Sequence, residues 1–226
     1  MSWSLNLVDS HGDEVVVDVG CGDGRYLKAL LDAGHIGQVV GVDISAGMVA
    51  HAPIWAGRLV GDVQALPLVD GFSDLTLAMH MLFHVADKPR AVAELRRVTR
   101  PDGQLIVAGS DRDSLHELHE LIDQCADDLG LRVAPHDPGL ALDDAAQLVS
   151  AVFASVERVD VPGKLQVTEG SPAVDYAASL SRVTRAADDH TMLERLKDRL
   201  SVEVAARISA HGSFTLTATG GCLVCR

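Results

Sequence analysis

The fold of this chain is decided by the stretch Val15-Val16-Val17-Asp18-Val19-Gly20-Cys21-Gly22-Asp23-Gly24. Its β-branched run predicts a buried strand, and the pattern that follows predicts a helix from about Arg25 to Asp32. A glycine-rich turn between a strand and a helix lets a ligand reach the backbone and the free amides at the helix start. This turn is therefore the first candidate binding site.

Short apolar runs alternate with helical patterns through the first half of the chain. After the first strand, the sequence predicts strands at Gln38–Asp43, Arg58–Val60, Asp74–Met79 and Gly103–Ala108, and a helix at Pro89–Thr99. This alternation is typical of βαβ units, and near-continuous apolar strands indicate burial on both faces. The sequence predicts a doubly wound α/β fold with a mostly parallel sheet.

The second half of the chain is mostly helical. Apolar residues at helical spacing predict helices at about 115–129, 143–153, 173–180 and 189–208. Residues 156–167 are predicted to form a sixth strand with a kink at Pro162-Gly163. Residues 213–224 are predicted to form a last strand with a bulge at Gly220-Gly221.

Spacing and charge indicate which ligand the glycine turn suits. A dinucleotide loop would have its third glycine at position 25, which is Arg25. Asp18 and Asp23 would place two carboxylates against a pyrophosphate and repel it. S-adenosylmethionine instead carries an ammonium and a sulfonium, which an acidic strand end favours. The alternative is an ordinary tight turn in which Asp18 partners the helix N-terminus.

Two further aspartates follow predicted strands. Asp43 ends the second strand, where an acid accepts hydrogen bonds from ribose hydroxyls; the alternative is a cap for the helix that begins near Ser45. Asp62 follows the third strand, where it would accept a hydrogen bond from an adenine amine; the alternative is a turn aspartate. Both positions favour a nucleoside ligand.

Four segments occur in the order and at the spacing of a known family. They are Val16–Gly24, Val40–Ser45, Gly61–Pro67 and Leu95–Gln104. The chain resembles the class I S-adenosylmethionine-dependent methyltransferases, in particular their type-11 domain family, well over residues 14–110 and loosely elsewhere. The resemblance implies an enzyme that uses S-adenosylmethionine, releases S-adenosylhomocysteine and has no metal.

The resemblance also assigns cofactor residues. It implies that Gly20 and Gly22 hold the methionine part and that Asp43 holds the ribose. Asp62 and Val63 would hold the adenine, and Met48 would pack near it; the alternative for Met48 is an ordinary helix contact. The other predicted cofactor residues are Asp18, Cys21, Ile44 and Met79.

The family's architecture implies one domain over residues 1–226, with seven strands and an antiparallel last strand. Residues 14–110 would form the cofactor-binding half, 111–212 the helical acceptor side and 213–226 the last strand. The chain departs from the family in its short N-terminal segment and its long helical insertion. We expect helices within 171–210 to cap the acceptor pocket, which is compatible with a homodimer; the alternative is packing at the sheet edge.

The segment Met79–His84 follows the fourth strand, at the edge where doubly wound sheets bind ligands. His80 is the candidate general base, because imidazole titrates near neutrality. The alternative is a cofactor-wall or helix-capping histidine. A sulfonium leaving group needs neither acid nor metal, so a base is required only where the acceptor loses a proton. His84 is predicted to be a structural hydrogen-bonding residue.

Two patterns resemble metal sites but predict none. His116 and His119 lie three residues apart rather than four, so a solvated helix face is expected. Cys222 and Cys225 would face opposite sides of a strand and lack a second ligand pair.

Composition limits the partners. The net charge of −13 repels nucleic acids and anionic membranes. No apolar run reaches the ~18 residues of a membrane span, and the first residues lack the basic patch of a signal peptide. We therefore expect a cytoplasmic protein that acts on a small molecule.

Two other functions stay open at this point. One is a nicotinamide or flavin oxidoreductase on a similar fold, which would bind NADH rather than S-adenosylhomocysteine. The other is a non-catalytic domain that binds the cofactor for regulation or assembly, which would methylate no acceptor.

Overall fold

The computed structural model describes residues 12–186 and 190–226. Its strands are β1 Val16–Val19, β2 Val39–Asp43, β3 Gly57–Val60, β4 Ser73–Met79, β5 Thr99–Ser110, β6 Val156–Asp160, β7 Gly163–Val167, β8 Phe214–Ala218 and β9 Gly220–Cys225. Its helices are α1 Arg25–Asp32, α2 Ala46–His51, α3 Lys88–Val98, α4 His116–Asp128, α5 Leu142–Ser150, α6 Gly170–Ser179, α7 Ser181–Ala186 and α8 His190–His211, with a 3-10 turn at Leu82–His84. The start of the helix predicted at residue 189 lies outside the described residues.

The described residues form two compact units. The sheet unit comprises residues 12–112, 138–161 and 220–226, and the helical unit comprises residues 113–137, 162–186 and 190–219. Each unit encloses a buried apolar core of its own. None of the described helices is long and apolar enough to cross a membrane.

The main sheet of the sheet unit has seven strands in the order β3-β2-β1-β4-β5-β9-β6. Strands β1 to β5 pair in parallel, and β9 runs antiparallel to both β5 and β6. The predicted mostly parallel, seven-stranded sheet with an antiparallel last strand is confirmed. The strand order reverses between β1 and β4, and open α/β sheets bind ligands at the carboxyl edge of such a switch point.

Alternate residues of β1 enter separate apolar clusters on the two faces of the sheet. Val17 and Val19 join a cluster with Leu95 of α3, whereas Val16 joins another with Leu27 of α1. Side chains alternate along a strand, so a continuous valine run buries both faces. This packing fixes the end of β1, and with it the start of the glycine turn.

Two of the predicted strands are wrong, because each is divided between two sheets. Residues 156–167 form β6 in the main sheet and β7 in a second sheet, where β7 pairs only with β8 among the described strands. Residues 213–224 divide in the same way into β8 and β9. The Gly220-Gly221 pair is no bulge: a Cβ on Gly221 would clash with the carbonyl oxygen of Val159, so glycine lets β9 fit beside β6.

The helical unit packs α4, α6, α7 and α8 with the two-stranded β7–β8 sheet around its own core. The buried Arg182 of α7 donates to a carboxylate oxygen of Asp123 at 2.7 Å and to the carbonyl oxygen of His119 at 3.0 Å. These bonds tie α7 to α4. The role of residues 171–210 as a cap stays a prediction.

Candidate functional site

Two adjoining cavities lie at the carboxyl ends of the central strands. The larger, of 490 Å³, has walls from the segments that follow β1, β2, β3 and β4. The smaller, of 290 Å³, has walls from the glycine turn and the starts of α1 and α2. Gly20 and His80 line both, so the cavities share a wall. The larger volume falls in the range of small-ligand sites.

The structure brings most of the predicted site residues to these walls. The larger cavity is lined by Gly20, Asp43, Ile44, Asp62, Val63 and His80. The smaller cavity is lined by Gly20, Cys21, Gly22, Met48, Met79 and His80. Met48 therefore lies beside the glycine turn, in the other cavity from Asp62 and Val63. Asp18 is buried and is on the wall of neither cavity.

The glycine turn is held against the end of β2. The backbone N–H groups of Gly20 and Cys21 donate to the carbonyl oxygen of Val42, at 2.7 and 3.1 Å. Gly20 has a φ of +72°, and a Cβ there would lie 2.7 Å from the Cβ of Met81. At Gly22, whose φ is +56°, no described heavy atom lies within 4 Å of an added Cβ. A ligand in the smaller cavity therefore has direct access to the backbone at Gly22.

Asp43 connects the glycine turn to the start of α2. Its two carboxylate oxygens accept the N–H groups of Gly22 and Ser45, each at 2.9 Å. Ser45 is the cap of α2, since its hydroxyl accepts the N–H of Met48 at 3.3 Å. A carboxylate has about four acceptor positions, so about two of those on Asp43 are unused within the described chain. They suit the two hydroxyls of a ribose.

Asp62 is held by Gln64. One carboxylate oxygen of Asp62 accepts the backbone N–H of Gln64 at 2.8 Å, and the side-chain amide donates to both oxygens at 3.1 and 3.0 Å. These hydrogen bonds, with a smaller contribution from the charge of Arg90, hold the pKa of Asp62 below its usual value. Asp62 is thus a turn aspartate and an ionised acceptor on the cavity wall.

Asp18 is fully buried at the end of β1, where it pairs with Gly41 of β2 and Leu77 of β4. Neither carboxylate oxygen has a hydrogen-bond partner among the described residues, so Asp18 does not cap α1. Burial, and to a smaller degree the charge of Asp43, raises the pKa of Asp18 to about 8. A positive charge near the turn would stabilise the ionised form.

His80 follows β4 with a φ of +56°, in the left-handed region that few non-glycine residues adopt. Its N–H donates to the carbonyl oxygen of Ala108 at 3.0 Å, which extends the β4–β5 pairing by one residue. The cavity walls partly desolvate the ring, and with the charge of Arg25 they lower its pKa from the usual value. His80 is therefore neutral at pH 7, as a general base must be.

Arg25 begins α1 and lines the smaller cavity, with its Nε 3.8 Å from a carboxylate oxygen of Asp23. From the sequence, Arg25 was not predicted to bind the ligand, and Asp23 was predicted only as a charge that repels a pyrophosphate. The two charges offset each other in part, and the Arg25 guanidinium suits a carboxylate on the ligand.

Comparison with known proteins gives the family. Residues 17–107 match the methyltransferase domain family. Residues 17–107 form a class I methyltransferase domain. The matched segment contains the glycine turn, Asp43, Asp62 and His80.

Curated relatives match about half of this chain. An uncharacterized 37.1 kDa protein in a Streptomyces fradiae transposon is 40% identical over 121 residues, which cover 50% of this chain and 35% of that protein. The malonyl-[acyl-carrier protein] O-methyltransferase of Pectobacterium atrosepticum is 36% identical over 119 residues, or 51% of this chain and 46% of that enzyme. The chain thus spans less than half the length of either relative.

A similarity of fold alone covers the whole chain. A solved structure of a putative methyltransferase from an antibiotic biosynthesis pathway of Anabaena variabilis aligns with a TM-score of 0.69 at 17% identity, covering 100% of this chain and 95% of that one. At this identity the similarity shows the fold alone.

Several residues of the cavity walls were not predicted to bind the cofactor. The larger cavity also contains Gln64, Met81, His84, Val85 and Ala86, and the smaller contains Tyr26. All follow β1, β3 or β4, so their position after a parallel strand was the available signal. The ring of His84 packs on Phe83 with centroids 4.0 Å apart.

The motifs set aside as metal sites take different roles. Within the described residues, no three His, Cys, Asp or Glu side chains gather as metal ligands. The solvated face predicted for α4 is wrong at His119, which is buried and stacks on His136 with ring centroids 3.6 Å apart. Cys222 and Cys225 are buried free thiols in β9, as predicted for strand residues.

Proposed function

We propose that this methyltransferase transfers the methyl group of S-adenosylmethionine to an oxygen or nitrogen of a small acceptor by in-line displacement. One observation carries the proposal: two aspartates with unused acceptor positions, a glycine turn and an arginine line two adjoining cavities. This donor and acceptor set corresponds to ribose, adenine amine and amino-acid groups in one ligand.

The residues present fit this cofactor. The buried carboxylate of Asp18 has no partner among the described residues, and such a group is costly unless a positive charge approaches. Arg25 offers a cation to a carboxylate, and the open side of Gly22 leaves room against the backbone. A pyrophosphate at the glycine turn would meet the carboxylate of Asp23 in the smaller cavity, which disfavours a dinucleotide.

When bound, S-adenosylmethionine supplies an electrophilic methyl group on its sulfonium. The chain's own contribution is to hold and orient: Asp43 would accept from the ribose, Asp62 from the adenine amine, and Arg25 would pair with the carboxylate. Positioning of this kind supplies much of the rate of a displacement whose leaving group needs no acid.

His80 would act as general base toward acceptors that must lose a proton. It lines both cavities, and its lowered pKa leaves the imidazole free to accept a proton at neutral pH. A carboxylate acceptor is already ionised at pH 7 and would not need this base.

The name of the Pectobacterium relative supports an oxygen acceptor. That protein is a malonyl-[acyl-carrier protein] O-methyltransferase, and it is 36% identical over 51% of this chain. We therefore propose carboxylate and hydroxyl oxygens as the first acceptors to test, ahead of amines.

Two measurements test the proposal in sequence. Isothermal titration with S-adenosylhomocysteine and with NADH should give saturable binding of the first and none of the second; the reverse result would overturn it. Radiolabelled S-adenosylmethionine is then offered with a panel of carboxylates, malonyl thioesters, phenols and amines. Binding without any methylated product would instead support a cofactor-binding regulatory protein.

A further inference from the structure

Gln64 uses all of its polar groups in the wall of the larger cavity. Its backbone N–H and its side-chain amide nitrogen donate to Asp62, as described above. Its side-chain oxygen accepts the backbone N–H of Asp87 at 3.1 Å, and its carbonyl oxygen accepts the Nε of Arg90 at 2.7 Å. One amide side chain therefore joins the segment after β3 to the start of α3.

The contacts with Gln64 also determine which acceptor position of the Asp62 carboxylate remains for a hydrogen bond from a ligand. Its carboxylate has about four acceptor positions, and Gln64 occupies three, two of them on Oδ1. Within the described chain, the position left on Oδ2 faces no other donor. The two oxygens of Asp62 are thereby made unequal, with Oδ2 as the open acceptor.

The bond from Gln64 to Asp87 also connects two segments of the cavity wall. Asp62, Val63 and Gln64 line one part of the larger cavity, and His84, Val85 and Ala86 line another, just before Asp87. Because the Gln64 oxygen faces an N–H and its nitrogen faces a carboxylate, the orientation of the amide is fixed. A flipped amide would lose its bonds to both partners.

We infer that Gln64 is a positioning residue for the adenine end of the cofactor: its amide orients Asp62 so that Oδ2 accepts the adenine amine. The inference rests on the proposed function, in which Asp62 binds adenine. It predicts that Gln64 affects cofactor affinity through the charge and orientation of Asp62, without touching the transferred methyl group.

Two near-isosteric variants separate this role from simple packing. Gln64→Met keeps the length of the side chain but removes its hydrogen bonds, and we expect S-adenosylhomocysteine to bind about tenfold more weakly at every pH. Gln64→Glu keeps an acceptor for the Asp87 N–H but places a second carboxylate against Asp62. The two acids then share one proton, and one pKa rises.

The Gln64→Glu variant should therefore show a pH dependence that Gln64→Met lacks. As pH falls from 8 to 5.5, the introduced carboxyl group takes up a proton and donates to Asp62 as the amide did, so affinity should recover toward the wild-type value. The other charged or titratable groups near this wall are Asp43, His80, His84, Asp87 and Arg90. The ratio of variant to wild-type dissociation constants, measured by titration calorimetry, cancels their shared contribution.

A cofactor analogue tests whether the effect passes through the adenine amine. The 6-oxo (inosine) analogue of S-adenosylhomocysteine has no amine for Asp62 to bind. Wild type should bind it more weakly, and the Gln64→Met penalty should shrink to less than about twofold. Gln147, exposed on α5 of the same unit, provides the control substitutions Gln147→Met and Gln147→Glu, which should leave both affinities unchanged.

The outcomes distinguish this inference from the proposed function. If wild type does not bind S-adenosylhomocysteine, the proposed function fails. Two other results would overturn the positioning role while the proposed function stands. In the first, both Gln64 variants bind S-adenosylhomocysteine as tightly as wild type does at all pH values. In the second, the variants lose as much affinity for the inosine analogue as for S-adenosylhomocysteine. Circular dichroism of each variant checks that loss of binding is not loss of fold.

Discussion

Asp43 accepts the backbone N–H of Gly22 through its Oδ2 at 2.9 Å, so the acid proposed to bind the ribose also shapes the glycine turn. Its other oxygen accepts the N–H of Ser45, at the start of α2. One carboxylate at the end of β2 therefore fixes two of the segments that line the cavities. Substitution of Asp43 should consequently affect binding of both the ribose and the methionine part of the cofactor.

Asp43→Asn should weaken binding of S-adenosylhomocysteine by at least about tenfold, because the amide nitrogen cannot accept the Gly22 N–H or a ribose hydroxyl. Titration calorimetry measures the change. Asp102→Asn, an exposed change in β5, is the matched control and should bind normally. Equal affinity for the Asp43 and Asp102 variants would contradict the role of Asp43.

Substitution of Gly20 should mainly affect folding stability, and substitution of Gly22 should mainly affect cofactor binding. Gly20→Ala should lower the free energy of unfolding by about 2–4 kcal/mol, because the new Cβ clashes with Met81 in addition to the left-handed strain. Gly22→Ala should cost only about 1 kcal/mol, since its Cβ meets open space, yet should weaken cofactor binding about tenfold or more. Urea unfolding and calorimetry on the same samples measure both quantities.

Tryptophan fluorescence restricts that unfolding measurement to the sheet unit. The chain has two tryptophans, and Trp3→Phe leaves Trp55, which lies in this unit. If the two glycine variants were equally stable and bound equally, the distinction between a packed and an open side of the turn would be wrong.

The sequence predicted the sheet and most of the cavity wall because both depend on local patterns. Buried valine runs mark β1 and β2, and side chains that follow parallel strands meet at one edge, which brought Asp43, Asp62 and His80 together. The family resemblance added the number of strands and the antiparallel last strand. None of this required knowledge of long-range contacts.

What the sequence could not supply depends on pairing across the chain. The extended runs at 156–167 and 213–224 have no local signal for the sheet that each half joins, because the choice depends on which strand lies alongside. Burial of Asp18 and His119 likewise depends on neighbours distant in sequence. Gln64 and Arg25 were missed because their contacts, and not their residue type, indicate a role.

Asp18 should make the sheet unit less stable as the pH rises. Its pKa is about 8 in the folded chain against an ordinary 3.8, so between these values the folded state holds a proton that the unfolded state has lost. The free energy of unfolding should then fall by about 1.4 kcal/mol per pH unit from pH 4 to 8. Asp18→Asn should remove this slope, as read by urea unfolding of the Trp55 sample.

The same carboxylate should respond to the cofactor. If an ammonium approaches the glycine turn, ionised Asp18 is favoured and a proton is released near pH 7. Calorimetry of S-adenosylhomocysteine binding in two buffers of different ionisation enthalpy measures that release, which Asp18→Asn should abolish. Two results together would show that Asp18 does not titrate between pH 4 and 8. Wild type would release no proton on binding, and its free energy of unfolding would change with pH as that of Asp18→Asn does.

His80→Asn removes the proposed base and keeps the backbone conformation, because asparagine tolerates the left-handed conformation at position 80 better than alanine does. For an acceptor that loses a proton, kcat should fall by about 10²-fold or more. In wild type, kcat/KM should decline only as pH falls below the usual histidine pKa of 6.5, since desolvation and Arg25 lower the pKa of His80. The variant should lack that decline. A carboxylate acceptor needs no base and is the internal control, so the variant should methylate it at close to the wild-type rate. If the variant also turned over the acceptor that must lose a proton at the wild-type rate at every pH, His80 would be excluded as the base.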